Sequence, residues 1–236
     1  MGLLDQLWDR YAAQVPYART FVELARGTFR NDHVAFRSLK GCGGIEPLAA
    51  FFERQGWTRR DAYDFPDAHL DAIYLAKPGE PRVFISQLRA EELSPRAQKI
   101  LEQLPHPGPI ADAGSFRAPD IQVAEPELLE LERESQYGAW LLLFGREVNH
   151  FTASVDDVEK WQRRMKEAGI PMKEEIEGEP GAGLRQTATK AAPRKIRLRE
   201  REREWPYAYL EVAERNGGFD GFVAAQARQL FEMTKR

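Results

Sequence analysis

Of the four histidines in the chain, two stand in matching surroundings. His33 lies in the run Asn31-Asp32-His33-Val34-Ala35-Phe36-Arg37, and His150 in Val148-Asn149-His150-Phe151-Thr152-Ala153-Ser154. Each follows Asn or Asp and begins a short β-like stretch. An imidazole held in a strand offers a ring nitrogen to a first-row divalent metal. A third donor is available in Tyr209-Leu210-Glu211-Val212-Ala213, where Glu211 stands among apolar residues. A carboxylate in such a strand is destabilising unless it is paired or bound to a metal. Two histidines and one carboxylate on one face, with the other coordination positions open, is the arrangement of non-haem Fe(II) oxygenases, and Zn(II) or Mn(II) suit the same ligands. The residues alone leave a second reading open, in which both histidines are hydrogen-bonded core residues. His69, in a polar loop, and His106, between prolines, read as surface residues.

The elements around these residues repeat as well. After His33 comes a helical pattern from Ile45 to Gln55 that stops at Gly56, and after His150 one from Val158 to Ala168 that stops at Gly169. Glycine there takes the left-handed conformation that ends a helix. Strand with histidine, helix, glycine stop, further strands: the chain reads as a duplicated module. Equivalent positions of such a repeat converge across a pseudo-twofold axis, which brings His33 and His150 together.

The fold class expected is α+β, with two βαβββ-type modules forming a metal-centred sheet and added helices, all in one domain. The boundaries are N-terminal helices over 1–30, module 1 over 31–90, a helical and loop insertion over 91–142, module 2 over 143–215 and a C-terminal helix over 216–236. In module 1, Asp71–Ala76 and Arg82–Leu88 flank a Pro-Gly-Glu-Pro turn and read as a hairpin, with a short strand near Thr58–Ala62. Residues 105–119, rich in Pro, Gly, Ala and Asp, read as a linker. Module 2 is read as opening with a strand over Ala139–Phe144 and continuing with strands at Leu184–Thr189, Ile196–Arg199 and Tyr207–Arg215. Glu200–Glu204 reads as a solvated turn.

Composition narrows the function classes. A net charge of −3 with acids and bases interleaved gives no basic face for nucleic acid. No apolar run approaches the roughly 20 residues that span a bilayer, and the first ten residues lack the layout of a signal peptide. The single cysteine, Cys42, excludes an internal disulfide and a cysteine-rich metal cluster, so a cytoplasmic location is expected. The Gly41-Cys42-Gly43-Gly44 cluster has no Lys-Ser/Thr after it and reads as a turn, not a phosphate loop.

Taken in order, these runs resemble the 2-oxoadipate dioxygenase/decarboxylase family, also called D-2-hydroxyglutarate synthase. The resemblance is carried by Asn31–Arg37, Arg82–Leu88 with Glu92-Leu93-Ser94 after it, Asn149–Thr152, Leu184–Ala191 and Tyr209–Arg215. It implies a fold like that of the vicinal oxygen chelate superfamily and Fe(II) bound by His33, His150 and Glu211, sites that Zn, Mn or Ni can also fill in a purified sample. It implies conversion of 2-oxoadipate and O2 to D-2-hydroxyglutarate and CO2, a step of lysine breakdown, with a small 2-oxo acid and O2 as partners; composition adds neither nucleic acid nor membrane, and leaves protein partners open. It further implies that Arg37 holds a substrate carboxylate. That suits strand geometry, since positions 33, 35 and 37 share one face. Gln186 and Thr187 are expected to add polar contacts to substrate. Gln87 stands where the family often has Glu, a departure expected to alter a neighbour of the site or a substrate contact. Two other readings keep fewer of these features: an oxygen-independent, glyoxalase-like metalloenzyme using Zn(II) or Ni(II), and a non-catalytic metal-binding or small-molecule-binding module.

Overall fold

Two histidine-bearing strands pair at the centre of the molecule. Strand β1 (Asn31–Leu39) runs antiparallel to β5 (Val148–Ser154), with His33 opposite Thr152 and Ala35 opposite His150. The computed structural model describes residues 2–27 and 30–224. In module 1, β1 is followed by β2 (Thr58–Phe65), β3 (Leu70–Ala76) and β4 (Arg82–Leu88). In module 2, β5 is followed by β6 (Leu184–Ala188), β7 (Ala192–Arg197) and β8 (Glu202–Arg215). The sheet order is β2-β3-β4-β1-β5-β8-β6, and β7 pairs with the first half of β8. Both β4 on β1 and β8 on β5 are parallel pairs, as a duplicated module requires.

The duplication is imperfect on its second side. The counterpart of β2 is reduced to two isolated bridges, Met172 with Thr189 and Glu177 with Gln186. Polar and glycine residues through this stretch cannot supply the apolar alternation of a full strand. In exchange, β8 extends backward as a hairpin with β7, so strand pairing begins at Glu202 and takes in most of the stretch expected as a solvated turn.

Helices cover both faces of the sheet. On the outer face, α1 (Leu3–Gln14) sets Trp8 and Tyr11 edge-on to Phe151, with ring centroids 5.2 and 5.0 Å away. Beside them lie α2 (Pro16–Leu24), α3 (Ile45–Glu53) and α7 (Val158–Glu167), α3 placing Phe52 against Phe36 of β1. On the inner face lies the insertion, made of α4 (Pro95–Leu101), α5 (Glu125–Glu134) and α6 (Gln136–Phe144). The stretch over 105–119 is not a loose linker. Phe116 is buried against Phe36, Phe51 and Phe52, and Arg10 donates to the carbonyls of Ala113 and Phe116 at 2.5 and 2.7 Å.

One element changes type. Ala139–Phe144, expected as the first strand of module 2, is the second half of α6, and module 2 begins at β5. A short continuous apolar run reads equally as a buried strand or as one turn of a fully buried helix. What decides it lies at the ends: Ser135 accepts a hydrogen bond from Gly138 N at 3.0 Å as N-cap. Gly145 then stops the helix at φ +54, where an added Cβ would lie 3.0 Å from Pro119 Cδ and 3.2 Å from the Arg117 carbonyl. The C-terminal helix expected over 216–236 falls mainly outside the described residues. No helix among those described is long and apolar enough to cross a membrane.

Phe151 is fully buried between the sheet and α1. Phe151→Ala is expected to destabilise the chain by about 3–5 kcal/mol in urea unfolding, the range for truncating a buried aromatic. Because its side chain points away from His150 and Thr152, divalent-metal stoichiometry should stay unchanged.

Candidate metal centre

The β1–β5 register turns His33, Ala35, Arg37, His150 and Thr152 to one face of the sheet, because directly opposed residues of paired strands share a face. The next strand adds Tyr209 and Glu211, which lie beside His150 and Thr152. His33, His150 and Glu211 thereby bring three ligand atoms within 4.8 Å of one another. His150 Nε2 lies 3.4 Å from His33 Nε2 and 3.3 Å from Glu211 Oε2, and His33 Nε2 lies 3.7 Å from Glu211 Oε2. Thr152 Oγ1 sits among them, 3.0 Å from His33 Nε2 and donating to Glu211 Oε2 at 3.2 Å.

The outer nitrogens of both rings are occupied, which leaves the inner ones for a ligand. His33 Nδ1 is 2.8 Å from Asp32 Oδ1, and His150 Nδ1 is 3.0 Å from Asn149 Oδ1. These partners are the pseudo-symmetric pair Asp32 and Asn149, and they fix tautomer and ring orientation as the outer partners of metal-bound histidines do. Asp32 is in turn gripped by Arg215, with Nε to Oδ2 at 2.6 Å and Nη2 to Oδ1 at 2.9 Å, and by Arg82 at 3.4 Å. Burial would raise the Asp32 carboxyl, but hydrogen bonds from His33 and Arg215 hold it well below the usual carboxylate range. Burial lowers both histidines, His150 well below its ordinary value, so the imidazoles are neutral, the form that coordinates a metal.

Glu211 carries the chemistry of a cation ligand. It is completely buried, its Oε1 has no hydrogen-bond partner, and burial together with the Glu177 charge pushes its carboxyl well above the usual value. A buried carboxylate with one oxygen 3.3 and 3.7 Å from two imidazole nitrogens and the other unpartnered fits a divalent metal. The Asp157, Glu159 and Glu214 cluster differs: it lies largely exposed and pairs with Arg185.

The pseudo-twofold also explains why there are three candidate ligands and not four. Exchanging 33 with 150 and 35 with 152 maps the central pairing onto itself, and carries Thr152 beside Glu211 onto Ala35 beside Phe84. Phe84 thus stands where a fourth ligand would, and lines the cavity instead. That cavity is bounded by the two histidines, Arg37, Ser86, Gln186, Tyr209 and Phe222 among others. Arg37 is buried, its guanidinium carbon 4.7 Å from the Tyr137 ring centroid and 5.2 Å from that of Trp140. Burial lowers its pKa from the ordinary arginine value. Tyr137, whose phenol burial raises to about 12, is fixed by Ser86 Oγ at 2.8 Å and by the Ser38 N–H.

Of the residues expected from sequence, His33, His150, Arg37 and Gln186 line this cavity, and Glu211 groups with the two histidines behind its wall. Thr187 does not. It faces the opposite side of β6, where its hydroxyl donates to the Glu175 carbonyl at 2.8 Å and accepts from Gln162 of α7. Strand alternation dictates this once Gln186 faces inward. Gln87 likewise points away from the cavity: its Oε1 accepts from Ile45 N at the start of α3, and its Nε2 donates to Asp71. Tyr137, Trp140 and Glu177 were missed from sequence, Trp140 because Ala139–Phe144 was read as a strand. His69 pairs with Glu92 and His106 is exposed, both away from the centre.

Residues 3–106 and 113–234 match the sequence profile of the family described as 2-oxoadipate dioxygenase/decarboxylase. The chain is 29% identical over 285 aligned positions to the chloroplastic 2-oxoadipate dioxygenase/decarboxylase of Arabidopsis thaliana, covering 99% of this chain and 76% of that protein. Its structure is similar to that of the hydroxyglutarate synthase of Oryza sativa in complex with 2-oxoadipate, with a TM-score of 0.85, 26% identity, and coverage of 99% of this chain and 91% of that one. A glyoxalase-superfamily protein from Ralstonia eutropha JMP134 shares the fold, with a TM-score of 0.75 at 23% identity over 92% of this chain and 83% of that one.

Asp32→Asn is expected to weaken divalent-metal binding about 10–100-fold in a chelator-competition titration, the usual consequence of losing a ligand's outer partner. Glu211→Gln should abolish stoichiometric binding in the same assay.

Proposed function

Because the chain belongs to the 2-oxoadipate dioxygenase/decarboxylase family, we propose that it converts 2-oxoadipate and O2 to D-2-hydroxyglutarate and CO2, with Fe(II) held by His33, His150 and Glu211. The observation that carries the reading is the pairing, in one buried cavity, of a three-ligand centre with a buried arginine. When bound, Fe(II) would supply the binding and activation of O2 and a Lewis-acid grip on the 2-oxo acid.

The remaining chemistry belongs to the protein. Phe84, in the place of a fourth ligand, keeps coordination positions open to substrate and oxygen. Arg37 lies one same-face step beyond Ala35, the residue opposite His150, or about 7 Å along the strand. That spacing matches a six-carbon diacid whose 2-oxo end faces the ligand triad and whose far carboxylate meets the guanidinium. Tyr137 and Trp140 flank the guanidinium and exclude water from it, which strengthens its attraction for a carboxylate. Aromatic walls from Phe84, Tyr209 and Phe222 keep the space dry. Asp32 and Asn149 hold the imidazole protons on Nδ1, away from the reacting face.

Arg37→Met tests the assignment of substrate polarity. Removing a buried charge from a carboxylate partner costs 2–5 kcal/mol, so kcat/KM for 2-oxoadipate should fall by on the order of 10²–10³. Preference for 2-oxoadipate over 2-oxohexanoate, which lacks the far carboxylate, should vanish, while metal binding persists. Retained preference would remove Arg37 from substrate recognition.

A further inference from the structure

Gln186 faces the cavity with its side chain 2% exposed, and its Oε1 has no hydrogen-bond partner. Its Nε2 donates to Glu177 Oε2 at 3.0 Å. The other Glu177 oxygen forms an ion pair with Lys173 Nζ, and the backbones of Glu177 and Gln186 exchange hydrogen bonds at 2.8 and 3.0 Å. Glu177 is itself 5% exposed. These three residues form a largely buried chain that ends at the cavity wall.

The chemistry of the chain allows one orientation. A carboxylate paired with lysine only accepts hydrogen bonds, so the Gln186 NH2 must turn toward Glu177 and the amide oxygen must turn inward. The register puts Gln186 beside Ala213, two residues past Glu211 on β8, whereas Arg37 lies beyond the triad in the opposite sense. The two residues therefore bracket the triad, a cation at one end and a fixed acceptor at the other.

We infer that the Lys173–Glu177 ion pair is a positioning device that locks the Gln186 amide with its oxygen in the cavity, so that the site accepts a carboxylate at its Arg37 end and rejects one at its Gln186 end. The inference rests on the proposed reading of the cavity as a dicarboxylate site. It assigns Glu177 and Lys173 a role in substrate polarity through Gln186, without contact with substrate.

Glu177→Gln tests it through a consequence of amide chemistry. The new amide has one acceptor for two donors, and lysine cannot reverse its role. The acceptor goes to Lys173, the new NH2 faces Gln186, and the Gln186 amide turns over to present its own NH2 to the cavity. In the Zn(II)-loaded full chain, titration calorimetry with glutarate should then show binding tightened about fivefold, the worth of one good hydrogen bond. The side-chain amide signals of Gln186 in 15N–1H NMR, which report the flip whether or not glutarate binds, should shift. Adding Lys173→Met frees the acceptor for Gln186, and both readouts should return close to those of the parent chain. Gln186 amide signals unmoved in Glu177→Gln, or a double variant no closer to the parent than the single one, would overturn the lock. A chain that shows the flip and its reversal but consumes no O2 with 2-oxoadipate would keep the lock and lose the oxygenase reading.

Discussion

Everything at this site depends on the register between β1 and β5. Side chains along a strand alternate faces, so a slip of one residue would send His150 and Thr152 outward and leave His33 without its counterpart. The register is held from the outer face, where Val34 and Phe151 are opposed and buried under α1. It is held again by the parallel pairs on each side, which tie β4 and β8 to the two central strands. The apolar packing of one face thus fixes the polar geometry of the other.

On that frame, duplication supplies the symmetric parts and divergence the function. Asp32 and Asn149 are equivalent and do equivalent work on His33 and His150. Elsewhere the halves differ. Module 2 contributes Glu211 where module 1 has Phe84, and module 1 contributes Arg37 where module 2 has Ser154. On the proposed reading, one half completes the metal ligands and the other provides the charge that a dicarboxylate needs. The insertion between them, through Tyr137 and Trp140 of α6, buries that charge.

Much of this was legible in the sequence because the decisive residues obey local rules. Two histidines in matching contexts and a carboxylate in an apolar strand follow from repetition and alternation, whereas Arg37 came from the family resemblance, with which its place on the same strand face as His33 agrees. Three features did not follow. The helix α6 was hidden by an apolar run whose type is set by Ser135 and Gly145 at its ends. Thr187 was grouped with Gln186 although adjacent strand residues face opposite ways, and its hydroxyl went to α7. Glu177 lay in a polar stretch whose one inward carboxylate is visible only once the bridge to Gln186 forms. Gln87, read as a departure near the site, serves the start of α3 instead.

On the proposed reading, the triad and Arg37 together make an oxygenase for a 2-oxo diacid. The most direct test is oxygen consumption by protein reconstituted with Fe(II) under argon and mixed with 2-oxoadipate in aerated buffer, with CO2 and chiral product analysis on the same sample. Equal amounts of O2 consumed, CO2 released and D-2-hydroxyglutarate formed are expected, with all three lost in His150→Ala. Stoichiometric Fe(II) binding with no oxygen consumed in the presence of 2-oxoadipate would contradict the reading.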